Sequence, residues 1–172
     1  MPDNINPPVT DLVQRVLSIA SQETVIPCAI DRRWPFNEQS IIDNSNELVN
    51  EGLKFSGLQL VHAIASKYSG VSGQQPEVSL IKHSHYFDHL DMSGRILRIK
   101  KMPAGDFKSD FCHAIGVGLC CLVATLKFSI KLDQFAPIPG RGKRFDFRGV
   151  SNGVNLIFEA RALLIKVLNC PN

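Results

Sequence analysis

Two acidic residues near the C-terminus, Asp146 and Glu159, carry the strongest chemical signal in the sequence. They flank Ser151-Asn152-Gly153, and the runs on either side, 144–150 (RFDFRGV) and 154–164 (VNLIFEARALL), are β-prone. Asn-Gly between two such runs is the best short-range hairpin signal, because both residues tolerate the positive φ of a type I′ turn. Pairing about that turn matches residues whose numbers sum to 305, and Asp146 with Glu159 satisfies the sum. The two carboxylates are therefore expected as direct cross-strand neighbours, with Cβ atoms about 4.5–5.5 Å apart. Like charges that close destabilise a sheet unless something neutralises them. A divalent cation such as Mg²⁺ would do so, since it favours carboxylate oxygens and keeps several waters for substrate phosphates. Arg144 and Arg161 offer the competing solution, a plain ion-pair network. Arg161 lies two residues beyond Glu159 and so shares its face of the strand.

The stretch GKRFDFRGVSNGVNLIFEARA (142–162) resembles the core of the PD-(D/E)xK nuclease superfamily, the restriction-endonuclease-like fold. That pattern has an Asp closing one strand, a turn, then Glu-x-Lys on the next, with a helix before the hairpin. The resemblance implies a Mg²⁺-dependent endonuclease that hydrolyses DNA phosphodiester bonds. Asp146 and Glu159 would hold the metal, and Arg161 would occupy the Lys position. Arg keeps the positive charge but does not give up its proton, so it would stabilise the attacked phosphate without serving as a base. Phe145 stands where the family often has Pro, and only 13 residues follow Glu159, where the family continues with a further helix and strand. A truncated core, N-terminal helices filling that place, or an inactive relative that still binds DNA or a protein all stay open. Arg141, Lys143, Arg144 and Arg148 cluster around the hairpin entrance and are the candidate phosphate contacts, or else a solvated basic loop.

A second constellation is His83, His85, Asp88 and His89, in the order H-S-H-Y-F-D-H after a short β-prone run. It is similar to the HxHxDH metal motif of the metallo-β-lactamase superfamily, with one extra residue, since Tyr86 and Phe87 stand where that family has one. The resemblance implies a His-based metal hydrolase with Zn²⁺, for which imidazole and carboxylate are suitable ligands. Three histidines within seven residues of a loop are more often solvated or packed on aromatic rings than metal ligands. His62, on a helical face with Leu58 and Ala65, reads as a core-edge histidine, and Glu47 and Glu51 as surface charges with a secondary option as site carboxylates.

The elements that must position these residues follow from periodicity. Residues 1–9 read as a flexible arm and 10–172 as one domain, helical over about 10–70 and mixed-sheet and nuclease-like over about 77–172. Apolar spacing predicts a short helix over 11–20, with Thr10 or Asp11 as cap, and helix over 38–68, where Gly52 and Gly57 allow a division in two. Segment 77–81 (EVSLI) reads as a short strand and 94–101 (GRILRIKK) as an amphipathic one. A helix capped by Ser109 or Asp110 runs to about Lys127, apolar nearly all round and hence buried. Residues 128–145, with two prolines and two glycines among 137–142, form a connector. The expected architecture is α+β (or α/β), with N-terminal helices packed on a small mixed sheet that ends in the C-terminal hairpin.

Composition bounds the remaining choices. With 44% hydrophobic and 20% charged residues, most of the chain is too apolar to be intrinsically disordered. The net charge of +3 is unevenly spread: from residue 131 onward seven basic residues face three acidic ones, so that segment holds the whole surplus and suits an anionic partner, DNA. Five cysteines with no CxxC spacing suggest reduced thiols and a cytoplasmic location. The longest apolar run, 114–126, is 13 residues, shorter than the roughly 20 needed for a span, so no membrane partner is expected. A homodimer is compatible with everything above.

Overall fold

The computed structural model describes residues 14, 16–29, 37–67, 83–139, 147–161 and 164–169. The arm, the caps Thr10 and Asp11, and the 77–81 strand expectation lie outside the described residues. The architecture is mixed α+β, and the described residues form three antiparallel sheets.

A short helix, α1 (16–21), leads into strand β1 (Glu23–Ile26). Helix α2 (Gln39–Glu51) ends at Gly52, whose φ of 74° is open to glycine at little cost and whose N–H donates to the Leu48 carbonyl. A Cβ at Gly52 would come within 2.7 Å of the Ile26 carbonyl oxygen, so the close approach of β1 also demands glycine here. The chain then forms β2 (Leu53–Ser56), antiparallel to β1 with Thr24 opposite Phe55, before α3 (Gly57–Lys67). The division of the 38–68 helical pattern at its glycines is thus observed, but the strand between the two halves was not expected. Leu53 and Phe55 fill the core while Lys54 faces water, an alternation that four residues are too few to reveal against a helical background. Ser56 and Gln59 cap α3 reciprocally: the Gln59 N–H donates to Ser56 Oγ (3.2 Å) and the Ser56 N–H to Gln59 Oε1 (2.8 Å).

A 3₁₀ helix, η1 (Ser84–Asp88), carries the histidine run. The expected strand over 94–101 shrinks to β4 (Arg98–Ile99), which pairs with β3 (Leu90–Asp91), plus a parallel bridge from Ile96 to Val25. Helix α4 (Asp106–Leu126) starts three residues before the expected caps. Gly105, at φ 61°, makes the entry, and Asp106 stands in the first turn, where its charge suits the helix dipole. Ser109 and Asp110 are therefore internal. Helix α4 is buried from Ala114 to Ala124, as its all-round apolarity requires. It is long and apolar enough to cross a membrane by length and composition, yet two thirds of that window is covered by the rest of the chain.

Helix α4 packs between α3 and the C-terminal sheet. Gly118 lets α3 approach closely, since a Cβ there would sit 2.6 Å from Ile64 Cγ1. The sheet runs in the order β5 (Ala136–Pro137), β6 (Phe147–Ser151), β7 (Val154–Arg161), β8 (Leu164–Asn169), antiparallel throughout where a mixed sheet was expected. The connector 128–145 thus contains β5, and the strand expected to run to 164 ends at Arg161 and returns as β8. Its inner face presents Phe147, Leu156, Phe158 and Ala160. Phe158 meets Phe135 edge-on at 5.0 Å between centroids, and Phe135 stacks on Phe147 at 4.8 Å.

Candidate functional site

The hairpin is formed as its turn chemistry requires. Asn152 (φ 51°) and Gly153 (φ 80°) both take positive φ, the mark of a type I′ turn. The observed pairs run from Ser151 opposite Val154 to Phe147 opposite Phe158, and every pair sums to 305. Alternation then separates two faces. Phe147, Gly149, Ser151, Leu156, Phe158 and Ala160 point to the core. Arg148, Val150 and Asn155 are exposed on the outer face, with Ile157 and Glu159 half-buried there.

Of the residues expected at the nuclease-like site, Asp146, Arg141, Lys143 and Arg144 lie outside the described residues. Arg161 closes β7, its side chain outside the described set. Arg148 is exposed on β6, where it stands opposite Ile157 on one side and Ala136 on the other. Glu159 has a further neighbour that the sequence reading missed: its register partner on β8 is Lys166. No glycine, asparagine or aspartate marks the 162–163 link, so nothing local announces that the chain turns back there. The one signal was the β-prone run LLIKVLN itself.

A Mg²⁺ site needs oxygen donors with uncompensated negative charge. Of the two expected carboxylates only Glu159 lies among the described residues, and its register partner on β8 is position 166. Among the described residues no group of three or more His, Cys, Asp and Glu side chains is arranged to hold a metal ion. The Mg²⁺ expectation therefore depends on Asp146.

The histidines are held in a ring cluster. His85 lies 4.2 Å from Tyr86 and 5.8 Å from Phe107, between centroids. His89 lies 5.5 Å from Phe107 and 5.4 Å from Phe111, and its Nδ1 is 2.9 Å from the Lys101 carbonyl oxygen. The extra residue in H-S-H-Y-F-D-H has a structural use: Tyr86 and Phe87 are both buried, and Tyr86 packs against Phe111 of α4. The Tyr86 hydroxyl reaches Asp110 Oδ2 at 3.4 Å. His62 is half-buried on α3, its Nδ1 enclosed with no hydrogen-bond partner among the described residues.

Glu47 and Glu51 are both engaged in ion pairs, Glu47 with Lys127 across to the end of α4 and Glu51 with Lys54 at 2.7 Å. The Lys54 hydrogen bond holds the Glu51 carboxyl below its ordinary range. Neither is drawn toward the hairpin as a further ligand. The cysteines among the described residues are free thiols. Burial pushes Cys121 up to about 12, and burial likewise raises half-buried Cys28, so neither is a poised nucleophile.

What the fold defines is an α+β protein with a four-stranded antiparallel sheet toward its C-terminal end. No protein-family model, no curated protein and no solved structure matches this chain.

Proposed function

We propose that the chain binds DNA through the outer face of its C-terminal sheet. The observation that carries this reading is the register around Glu159. Lys166 is the register partner of Glu159, and Arg148 is exposed on the same face of β6, so basic positions flank the one described acidic position there. The segment from residue 131 onward holds the chain's entire positive surplus, and contacts from Lys and Arg to phosphates supply most sequence-independent affinity. The test is fluorescence anisotropy with a labelled duplex over a salt series. Binding should weaken steeply with salt, and Arg148→Ala or Lys166→Ala should each lower the slope of log K against log salt by about 1. Absence of binding at low salt rejects the reading.

A second reading, hydrolysis of the bound strand, is supported by the 305 register observed from Ser151–Val154 to Phe147–Phe158, since one further pair in the same register would join position 146 to Glu159. In that reading Asp146 and Glu159 hold Mg²⁺, which supplies charge neutralisation at the attacked phosphate. Arg161 steadies the same phosphate. Plasmid nicking with and without Mg²⁺, in wild type, Asp146→Ala and Glu159→Ala, decides it. Loss of nicking in both variants supports hydrolysis, and nicking that survives either one rejects the site.

A further inference from the structure

We infer that residues 95–102 form a docking surface for a membrane that bears anionic lipid, with cations meeting the headgroups while Ile96 and Met102 enter the apolar boundary. The inference goes beyond the DNA reading and does not rest on it. Between residues 92 and 105 the sequence holds four basic residues, Arg95, Arg98, Lys100 and Lys101, and no acidic one. All four side chains are exposed, and among the described residues none of them is in an ion pair. Asp91 is the register partner of Arg98, and its Oδ1 already accepts hydrogen bonds from the Ser93 hydroxyl and N–H. It offsets part of one cation and leaves the run positive. The exposed carboxylates Asp88 and Asp106 lie outside the run.

The fold holds this run in place. Leu97 and Ile99 pack half-buried against the core, while the other six side chains of 95–102 are exposed. The Val25 N–H donates to the Arg95 carbonyl (2.8 Å) and the Leu97 N–H to the Val25 carbonyl (3.2 Å). Further along, the Lys100 N–H donates to the His89 carbonyl (2.9 Å), and the Lys101 carbonyl meets His89 Nδ1. A backbone already fixed loses little freedom on docking. Ile96 is 44% exposed and Met102 38%, and in the chain they bracket Arg98, Lys100 and Lys101. That mixture favours a lipid surface over a nucleic acid. Phosphates call for cations alone, whereas aliphatic side chains gain by leaving water for the acyl boundary. The run has no aromatic side chain to stack on a base. The contact is peripheral, because α4, the described helix apolar enough to span a bilayer, is mostly covered by the rest of the chain. Each Lys or Arg near an anionic leaflet raises partitioning about five-fold.

The experiment is co-sedimentation of the full chain with vesicles of phosphatidylcholine alone or with about 30 mol% phosphatidylserine. Expected is pelleting with the anionic vesicles only, weakened as salt rises from about 0.1 M to about 0.5 M. The double variant Lys100→Ala/Lys101→Ala should lower partitioning roughly 10- to 30-fold. Ile96→Gln keeps every cation and should still lower it several-fold, a loss that charge attraction alone does not produce. These positions are exposed, and unchanged thermal melts separate docking from folding. Arg148→Ala, on the C-terminal sheet, should leave vesicle binding as it is. No pelleting at low salt, equal pelleting with neutral vesicles, or full binding by Lys100→Ala/Lys101→Ala or Ile96→Gln overturns the inference. So does a loss of duplex DNA affinity in Lys100→Ala/Lys101→Ala with vesicle binding intact, which would assign the run to nucleic acid. Absence of DNA binding with vesicle binding present overturns the DNA reading and leaves this one standing.

Discussion

The histidine run and the C-terminal ribbon are the two places where this chain concentrates chemically capable side chains, and the fold treats them in opposite ways. At η1 the imidazoles lie on Tyr86, Phe107 and Phe111, with His89 tied to the Lys101 carbonyl. Aromatic packing uses their surface, and the motif serves to fasten a short helix to α4. On the ribbon the buried work is done by the inner face, through Phe147, Leu156 and Phe158, which leaves Arg148, Val150 and Asn155 to solvent. A strand splits structural from functional duty by alternation, whereas a short 3₁₀ turn gives its side chains no such division.

The largest effects that bear on this contrast concern the aromatic supports. Phe111→Ala and Phe158→Ala should each cost about 3–5 kcal/mol in urea unfolding, because each leaves a cavity in a fully buried site. A cost under about 1 kcal/mol for Phe111→Ala breaks the claim that rings hold the histidine run. Next comes the ribbon tip. Gly153→Ala forces a Cβ into positive φ and should cost about 1–2 kcal/mol. If DNA is bound there, the same variant also lowers affinity.

Smaller still is His85→Ala. His85 is exposed, so stability should change by less than about 0.5 kcal/mol, and zinc content after purification should equal that of wild type. A stoichiometric zinc lost in the variant would restore the metal-hydrolase reading and erase the contrast. The smallest concerns Cys121 on the helix that joins both regions. An unfolded thiol ionises from about 9.0, while burial keeps the folded one protonated up to about 12. The stability it contributes is full below pH 9 and is lost as pH climbs through that window. Thermal melts at pH 8 and pH 10 should show a fall that Cys121→Ala reduces.

Legibility in the sequence followed how local each signal was. The Asn152-Gly153 hairpin and its register could be read because a type I′ turn fixes both turn residues and pairing. The burial of α4 could be read because it is apolar on every side. Ser56 and Gln59 spell a capping box that was legible and overlooked. The start of α4 at Asp106 was hidden because Ser109 and Asp110 are equally good caps by type. The candidate site was half legible. The spacing of Asp146, Glu159 and Arg161 offered a motif, but Lys166 entered it only through a strand pairing that no turn residue announces.

By itself, then, the chain specified most of its helical segments, its Asn152-Gly153 hairpin and where its positive charge accumulates, since these depend on neighbours within a few residues. The tertiary structure decided how α4 comes to lie between α3 and the sheet, what covers the histidines and which side of the ribbon stays wet. Those outcomes turn on the burial of surfaces far apart in the chain, and no local pattern encodes the partner that will cover them.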